Sequence, residues 1–247
     1  MRRTHPLIDG LEAIGEQYRA LSQRYGIFDR LYEQIHANWA QHRESNRWPT
    51  AHKNWVLRVA PTYTHDPEQR LEKQLQKQIA TCFKGERWGN DIVTASGLIN
   101  ARGRQMNIDL AHQITDGFEL IELKLRSNTP YDAALQILRY GAIYMLYRLE
   151  PELARRLKFR EMIDAKRIVL EVLAPFEYYS PCELDLRTVQ TQLNREVKTF
   201  AKRSNADVDL SFRYMAFPCE FSYEPGMSCK SIRDAVSRRL SPFTNSD

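Results

Sequence analysis

Residues 106–126, MNIDLAHQITDGFELIELKLR, constrain this chain more than any other stretch. Two runs of mostly apolar, β-favouring residues flank Asp116-Gly117, and Asp-Gly between such runs is a strong signal for a β-hairpin. Taking Asp116-Gly117 as the two-residue loop sets Thr115 against Phe118, Ala111 against Glu122 and Asp109 against Lys124. Strand side chains alternate with period two, so Asp109, Glu122 and Lys124 converge on one face. Asp109 and Glu122 are then diagonal neighbours, on the order of 7–8 Å apart. Charges in the middle of such a strand are costly unless they are paired or bind something.

Helix signals surround the hairpin. Leu7, Leu11, Ile14, Tyr18 and Leu21 recur at helical spacing, as do Phe28, Leu31, Ile35 and Trp39, with Gly26 marking a break between the two runs. Asp66 is a good N-cap, Pro67 suits the first helical position, and Gln69 completes a capping-box-like pattern ahead of LEKQLQKQIATCF. Thr129, Pro130 and Asp132 open a second strong helix over YDAALQILRYGAIYMLY. NWVLRVA, GNDIVTASG, RIVLEVLAP and VDLSFRYMAF read as strands. ELARRLKFREMIDAK, residues 186–203 and SIRDAVSRRL read as helical. Helices mixed with one sheet in this order predict an α/β sandwich.

The 247 residues are 43% hydrophobic, which supports a substantial core. The net charge of +5 is compatible with an anionic partner. Cys82, Cys182, Cys219 and Cys229 form no CxxC pair and have no histidine cluster beside them, which argues against structural zinc and favours reduced thiols. MRRTHPLIDGLEA lacks the apolar segment of a secretory signal, and the apolar run around ILRYGAIYMLY is too short to span a bilayer. A cytoplasmic protein without a membrane partner is the expectation. No glycine-rich phosphate loop is present.

Two carboxylates without histidine or cysteine suit Mg²⁺ or Mn²⁺, and an adjacent lysine can stabilise developing phosphate charge. Together they describe cation-assisted hydrolysis of a phosphodiester. The same pattern also fits a buried Asp-Lys-Glu network that only fixes strand register.

The stretches LEKQL, NIDL, IELK and QILRY fall, in that order, on a helix, a strand, a strand and a helix. This arrangement resembles the PD-(D/E)XK nuclease superfamily, and QILRY resembles the QxxxY motif of its recombination-exonuclease-like branch. The resemblance covers about residues 66–175 and implies a restriction-endonuclease-like αβββαβ core with a mixed sheet. Residues 1–60 would form an N-terminal helical extension, and 61–247 a nuclease-like domain whose helix–strand extension covers 176–247. It further implies that Asp109, Glu122 and the Leu123 carbonyl bind the metal, and that Lys124 is the catalytic lysine. Glu72, bordering the Leu71/Leu75/Ile79 stripe, would be the supporting helix carboxylate, with Glu68 its rival. Gln136 and Tyr140 would orient the site or contact the nucleic-acid backbone. The implied protein is a Mg²⁺-dependent deoxyribonuclease acting in repair or in defence against foreign DNA; the alternative is an inactive module of the same fold that binds nucleic acid or protein. Ile108 stands where the family pattern has proline.

Arg102 and Arg104 precede the Asp109 strand and could flank the metal. Arg155, Arg156, Lys158 and Arg160, then Lys198, Lys202 and Arg203, then Arg238 and Arg239 offer phosphate contacts or ordinary solvated faces. Trp39, Trp48, Trp55 and Trp88 fit core packing better than base stacking. His112 falls on the strand face away from Asp109 and is given no catalytic role. The N-terminal helices could carry a homodimer or partner interface.

Overall fold

Five strands form one mixed sheet in the order β1-β2-β3-β4-β5 in a computed structural model, which describes residues 6–20, 26–42, 48–61, 67–98, 106–180, 182 and 185–243. The strands are β1 (Trp88–Val93), β2 (Asn107–Ile114), β3 (Gly117–Leu123), β4 (Arg167–Ala174) and β5 (Asp209–Ala216). The first three pair antiparallel, and β3, β4 and β5 pair parallel. The helices are α1 (Leu11–Ala20), α2 (Ile27–His42), α3 (Pro67–Cys82), α4 (Pro130–Leu149), α5 (Pro151–Ala154), α6 (Leu186–Arg203) and α7 (Cys229–Ser237). This is the α/β class expected, with helices on both faces of a mixed sheet.

The hairpin forms, but in a different register. Ile114 pairs with Gly117, so Thr115-Asp116 is the loop, and Leu110 faces Ile121. Gly117 lies inside β3 because a Cβ there would come within 1.7 Å of the Arg167 carbonyl oxygen on β4. Its small size serves this close approach rather than a left-handed turn. The shift is two residues, so every side chain keeps its face, and continuing the ladder sets Asp109 directly opposite Glu122 instead of diagonal to it.

Helix α4 begins with a full capping box. Thr129 Oγ1 accepts from the Asp132 N–H at 3.2 Å, and Asp132 Oδ2 accepts from the Thr129 N–H at 3.3 Å. It ends before Pro151, where Glu150 takes an extended conformation. Its face is so apolar that Leu135, Ile137, Leu138, Ile143 and Leu146 are all buried. Gly141 lets it approach β4, since a Cβ would sit 2.5 Å from Leu170 Cδ1. Helices α1 and α2 bury Leu11, Phe28, Leu31, Ile35 and Trp39 in the same core, so the N-terminal helices pack on the sheet's helical layer. Of the apolar run expected to anchor the first helix, the Tyr18 side chain and Leu21 lie outside the described residues.

The other face is covered by α3 and α7. Leu75, Ile79 and Phe83 meet Leu110, Ile121 and Leu123 beneath Ile232, Ala235 and Val236. Cys82 and Cys229 form a disulfide between these two helices, with Cα atoms 5.1 Å apart. The expectation of reduced thiols is therefore wrong for this pair. They lie 147 residues apart, and only the packing of α7 on α3 brings them together. Cys182 and Cys219 are free.

Two further expectations change. NWVLRVA runs along the outer edge of β1 without becoming a strand. It is tied there by two backbone bonds, from the Trp55 N–H to the Val93 carbonyl at 2.8 Å and from the Asn90 N–H to the Arg58 carbonyl at 3.0 Å, and by the Asn90 side chain, which accepts from the Ala60 N–H at 2.9 Å and donates to the Ala60 carbonyl at 3.1 Å. The stretch after Glu150 is helical only over α5, and residues 155–166 are turns and loop. Asp66 and the Gln69 side chain lie outside the described residues. Among those described, no helix is long and apolar enough to cross a membrane.

Candidate active site

Asp109, Glu122 and Lys124 meet at the carboxyl end of β3. The cause is local: the Asp109 and Glu122 side chains share a face across the hairpin, and Lys124 follows two residues later. The Leu123 N–H donates to Asp109 Oδ2 at 3.1 Å, which fixes one carboxylate oxygen against the backbone of β3. Lys124 Nζ lies 2.7 Å from Glu122 Oε1. Its own N–H donates to the Leu173 carbonyl at 2.9 Å, holding the chain against β4 as β3 ends.

Glu122 is fully buried. Lys124 serves its Oε1, while its Oε2 has no ion-pair partner. Burial raises its pKa well above the usual carboxylate range, and Asp109 adds to the rise while Lys124 opposes it. For Lys124, burial works against the charge, but Glu122 and Asp109 prevail and raise the pKa. An ammonium held charged beside a carboxylate that resists ionisation is a strongly polarised arrangement.

Glu72 points inward from α3, in line with its place beside the Leu71/Leu75/Ile79 stripe. Its Oε1 accepts from the Leu125 N–H at 2.9 Å and from Ser127 Oγ at 2.8 Å. Glu72 thus ties down the loop that follows Lys124. The Glu68 side chain lies outside the described residues. On α4, Gln136 hydrogen-bonds Tyr140. Burial raises the Tyr140 pKa well above the usual phenol range, and Glu122 and Asp109 push it in the same direction. Tyr140 therefore borders the carboxylates, with Gln136 as its partner.

Two residues at this site are not anticipated from the sequence. Lys73 Nζ lies 3.2 Å from Asp109 Oδ1, 3.0 Å from Gln76 Oε1 and 3.5 Å from Asp91 Oδ1. Asp91 sits on β1 across from Asp109 in the observed register; GNDIVTASG reads as a strand in the sequence, but its register against the Asp109 strand does not follow from local pattern. Lys73 carries no motif signal beyond following Glu72.

The donor set of Asp109, Glu122 and the Leu123 carbonyl is all oxygen and suits a hard divalent cation, and Glu122 Oε2, which has no ion-pair partner, is an oxygen that such an ion would satisfy. Among the described residues, no three histidine, cysteine, aspartate or glutamate side chains are gathered as a metal-holding group. At this site Lys73 stands between Asp91 and Asp109, and Lys124 stands against Glu122.

Arg102 and Arg104 lie outside the described residues. Arg155, Arg156, Lys158, Lys198 and Lys202 are exposed. Arg160 pairs with Asp164 at 2.8 Å, Arg203 with Asp29 at 2.7 Å and Arg238 with Glu220 at 2.8 Å. Arg239 is not a surface cation. It turns inward to Glu119 at 2.6 Å, beside Arg213, which lies 2.5 Å from Glu119 and 2.6 Å from Glu171. His112 joins this second cluster at 2.8 Å from Glu119 and stacks on Trp88, on the face away from Asp109 as expected. Trp39, Trp55 and Trp88 are core residues, and the Trp48 side chain lies outside the described set.

No known protein family, curated protein or solved structure matches this chain.

Proposed function

We propose that this protein is a Mg²⁺- or Mn²⁺-dependent nuclease that hydrolyses DNA phosphodiester bonds at Asp109, Glu122 and Lys124. The observation that carries this reading is the fully buried Glu122, ion-paired through Oε1 with Lys124 at 2.7 Å and set beside Asp109 at one strand end. Two carboxylates and an ammonium gathered in a buried place are costly to desolvate, and a site for chemistry is one reason to keep them there. The order from α3 to β4 (helix, three antiparallel strands, helix, parallel strand) agrees with the restriction-endonuclease-like core that the motifs resemble.

A divalent cation held by Asp109, Glu122 and the Leu123 carbonyl would supply Lewis acidity and lower the pKa of attacking water. The chain's own groups do the rest. Lys124 places a positive charge where negative charge develops on the phosphoryl oxygens. Leu123 holds Asp109 in one orientation through its N–H. Glu72 fixes the segment after Lys124 through Leu125 and Ser127. Tyr140, kept protonated by its surroundings, can donate a hydrogen bond toward substrate or carboxylate. The choice of DNA over RNA rests on the resemblance alone.

The test is cleavage of single-stranded, double-stranded and branched DNA by wild type and Lys124→Ala with Mg²⁺, Mn²⁺ or EDTA. Metal-dependent cutting by wild type, lost in the variant, is expected. Cutting that persists in EDTA would refute the proposed chemistry.

A further inference from the structure

Lys73 sits where a cation is wanted. Its ammonium contacts one oxygen each from Asp109, Asp91 and Gln76, at 3.2, 3.5 and 3.0 Å. Gln76 is buried, and its side-chain oxygen is directed at the ammonium from one turn along α3. Asp91 lies within β1 yet has a φ of 55°, a left-handed conformation that L residues adopt only at a cost. That conformation occurs at the β1 position across from Asp109. Adjacent to Asp109 is Glu122, wholly buried, with Oε1 held by Lys124 and Oε2 without an ion-pair partner. Oxygen ligands therefore extend from β3 across β2 to β1, and Lys73 occupies their outer part.

A lysine is suited to such a temporary post. Its charge is compact and sits on a flexible four-carbon stem. The Lys73 side chain keeps 25% of its surface exposed, so it has a route to solvent. Its contacts of 3.0–3.5 Å are those of an ammonium, longer than the roughly 2.0–2.6 Å that Mg²⁺ or Ca²⁺ requires of oxygen ligands. Asp91, Asp109 and Gln76 would close in as the ammonium leaves.

We propose that Lys73 is a resident cation holding a divalent-metal position bounded by Asp109, Asp91 and Gln76, and that a metal ion enters this position by displacing the lysine. Asp91 is then a metal ligand, and Lys73 is a positioning residue that sets how much metal is needed to load the site. This inference rests on the metal-dependent reading of the site.

Calorimetric Mn²⁺ titration tests it without any cleavage step, using the full-length wild type, Lys73→Met, Asp91→Asn and Asp109→Asn. Removing a competing charge from two carboxylates should tighten Mn²⁺ binding by about tenfold in Lys73→Met. Removing a ligand should weaken it by about tenfold in Asp91→Asn. Thermal melts accompany each titration: Lys73→Met should melt lower than wild type in EDTA, with Mn²⁺ restoring it. Should Lys73→Met fail to fold, Lys73→Gln takes its place. Equal or weaker Mn²⁺ affinity without the lysine, while Asp109→Asn abolishes wild-type binding, would overturn this inference and leave the proposed function intact. Absence of Mn²⁺ binding in wild type and in the lysine variant alike would remove both.

Discussion

Leu123 donates its backbone N–H to Oδ2 of Asp109 across the hairpin, at 3.1 Å, while Lys73 approaches Oδ1 from the other side at 3.2 Å. One oxygen is thus fixed by the backbone of the sheet and the other is held by an ammonium from α3. The backbone partner orients the carboxylate, and the ammonium balances its charge.

Lys124→Met should abolish cleavage and destabilise the fold by on the order of 3 kcal/mol at neutral pH, because it strands Glu122 beside Asp109. The sign with pH follows from a raised carboxyl pKa. Protonated Glu122 carries no penalty below the unfolded value of about 4.5, and the penalty grows until pH passes the raised value. Loss of Lys124 removes the one charge that opposes this rise, so urea melts should show the variant losing stability relative to wild type as pH climbs above the already raised wild-type value of Glu122. A flat difference would mean that Glu122 is not the stranded group.

Glu119 should behave in the opposite way. Burial opposes its charge, but His112, Arg239 and Arg213 lower its pKa from 4.5 to about 2. A depressed carboxyl contributes stability above the unfolded value that is lost as pH falls toward the folded one. Glu119→Gln should cost on the order of 2–3 kcal/mol at neutral pH, with the difference from wild type shrinking as pH falls from 4.5 to about 2. Because this cluster lies on the far face of the sheet, metal affinity should not change.

Glu72→Ala should loosen the segment after Lys124. Two hydrogen bonds to a buried carboxylate are lost, from Leu125 and Ser127, at a cost of about 1.5–3 kcal/mol. Hydrogen exchange at the Leu125 amide should rise by more than that at Leu120 in mid-strand. Equal increases at both would indicate global destabilisation instead.

Reducing the Cys82–Cys229 bond should lower stability by about 2–5 kcal/mol, since it closes a loop across 147 residues of separation. Cys82→Ser with Cys229→Ser should reproduce the effect and abolish any further response to reductant. A reductant effect that persists in the double variant would point to another thiol.

The hairpin shows what the sequence could and could not convey. Alternation placed Asp109, Glu122 and Lys124 on one face, and that survives the two-residue change in register because it is an even shift. The register itself depends on Gly117 meeting the Arg167 carbonyl of β4, a contact no local pattern encodes. Thr129 and Asp132 announced α4 through a capping box, a purely local device. By contrast, the disulfide depends on how α7 docks on α3, and NWVLRVA is held along β1 by two backbone bonds and the Asn90 side chain instead of a continuous ladder. Lys73 and Asp91 were hidden for the same reason. Neither belongs to a motif, and they meet only when the first turns of α3 reach the end of the hairpin.

The most direct test of the central claim is single-turnover DNA cleavage by Glu122→Gln against wild type, with substrate binding measured in parallel by fluorescence anisotropy in EDTA. The variant should bind DNA as wild type does and cut on the order of a hundredfold more slowly in Mg²⁺ or Mn²⁺, as expected for losing a charged group at a polarised site. Wild-type cleavage rates in Glu122→Gln would contradict the claim, because the buried carboxylate would then have no part in the chemistry.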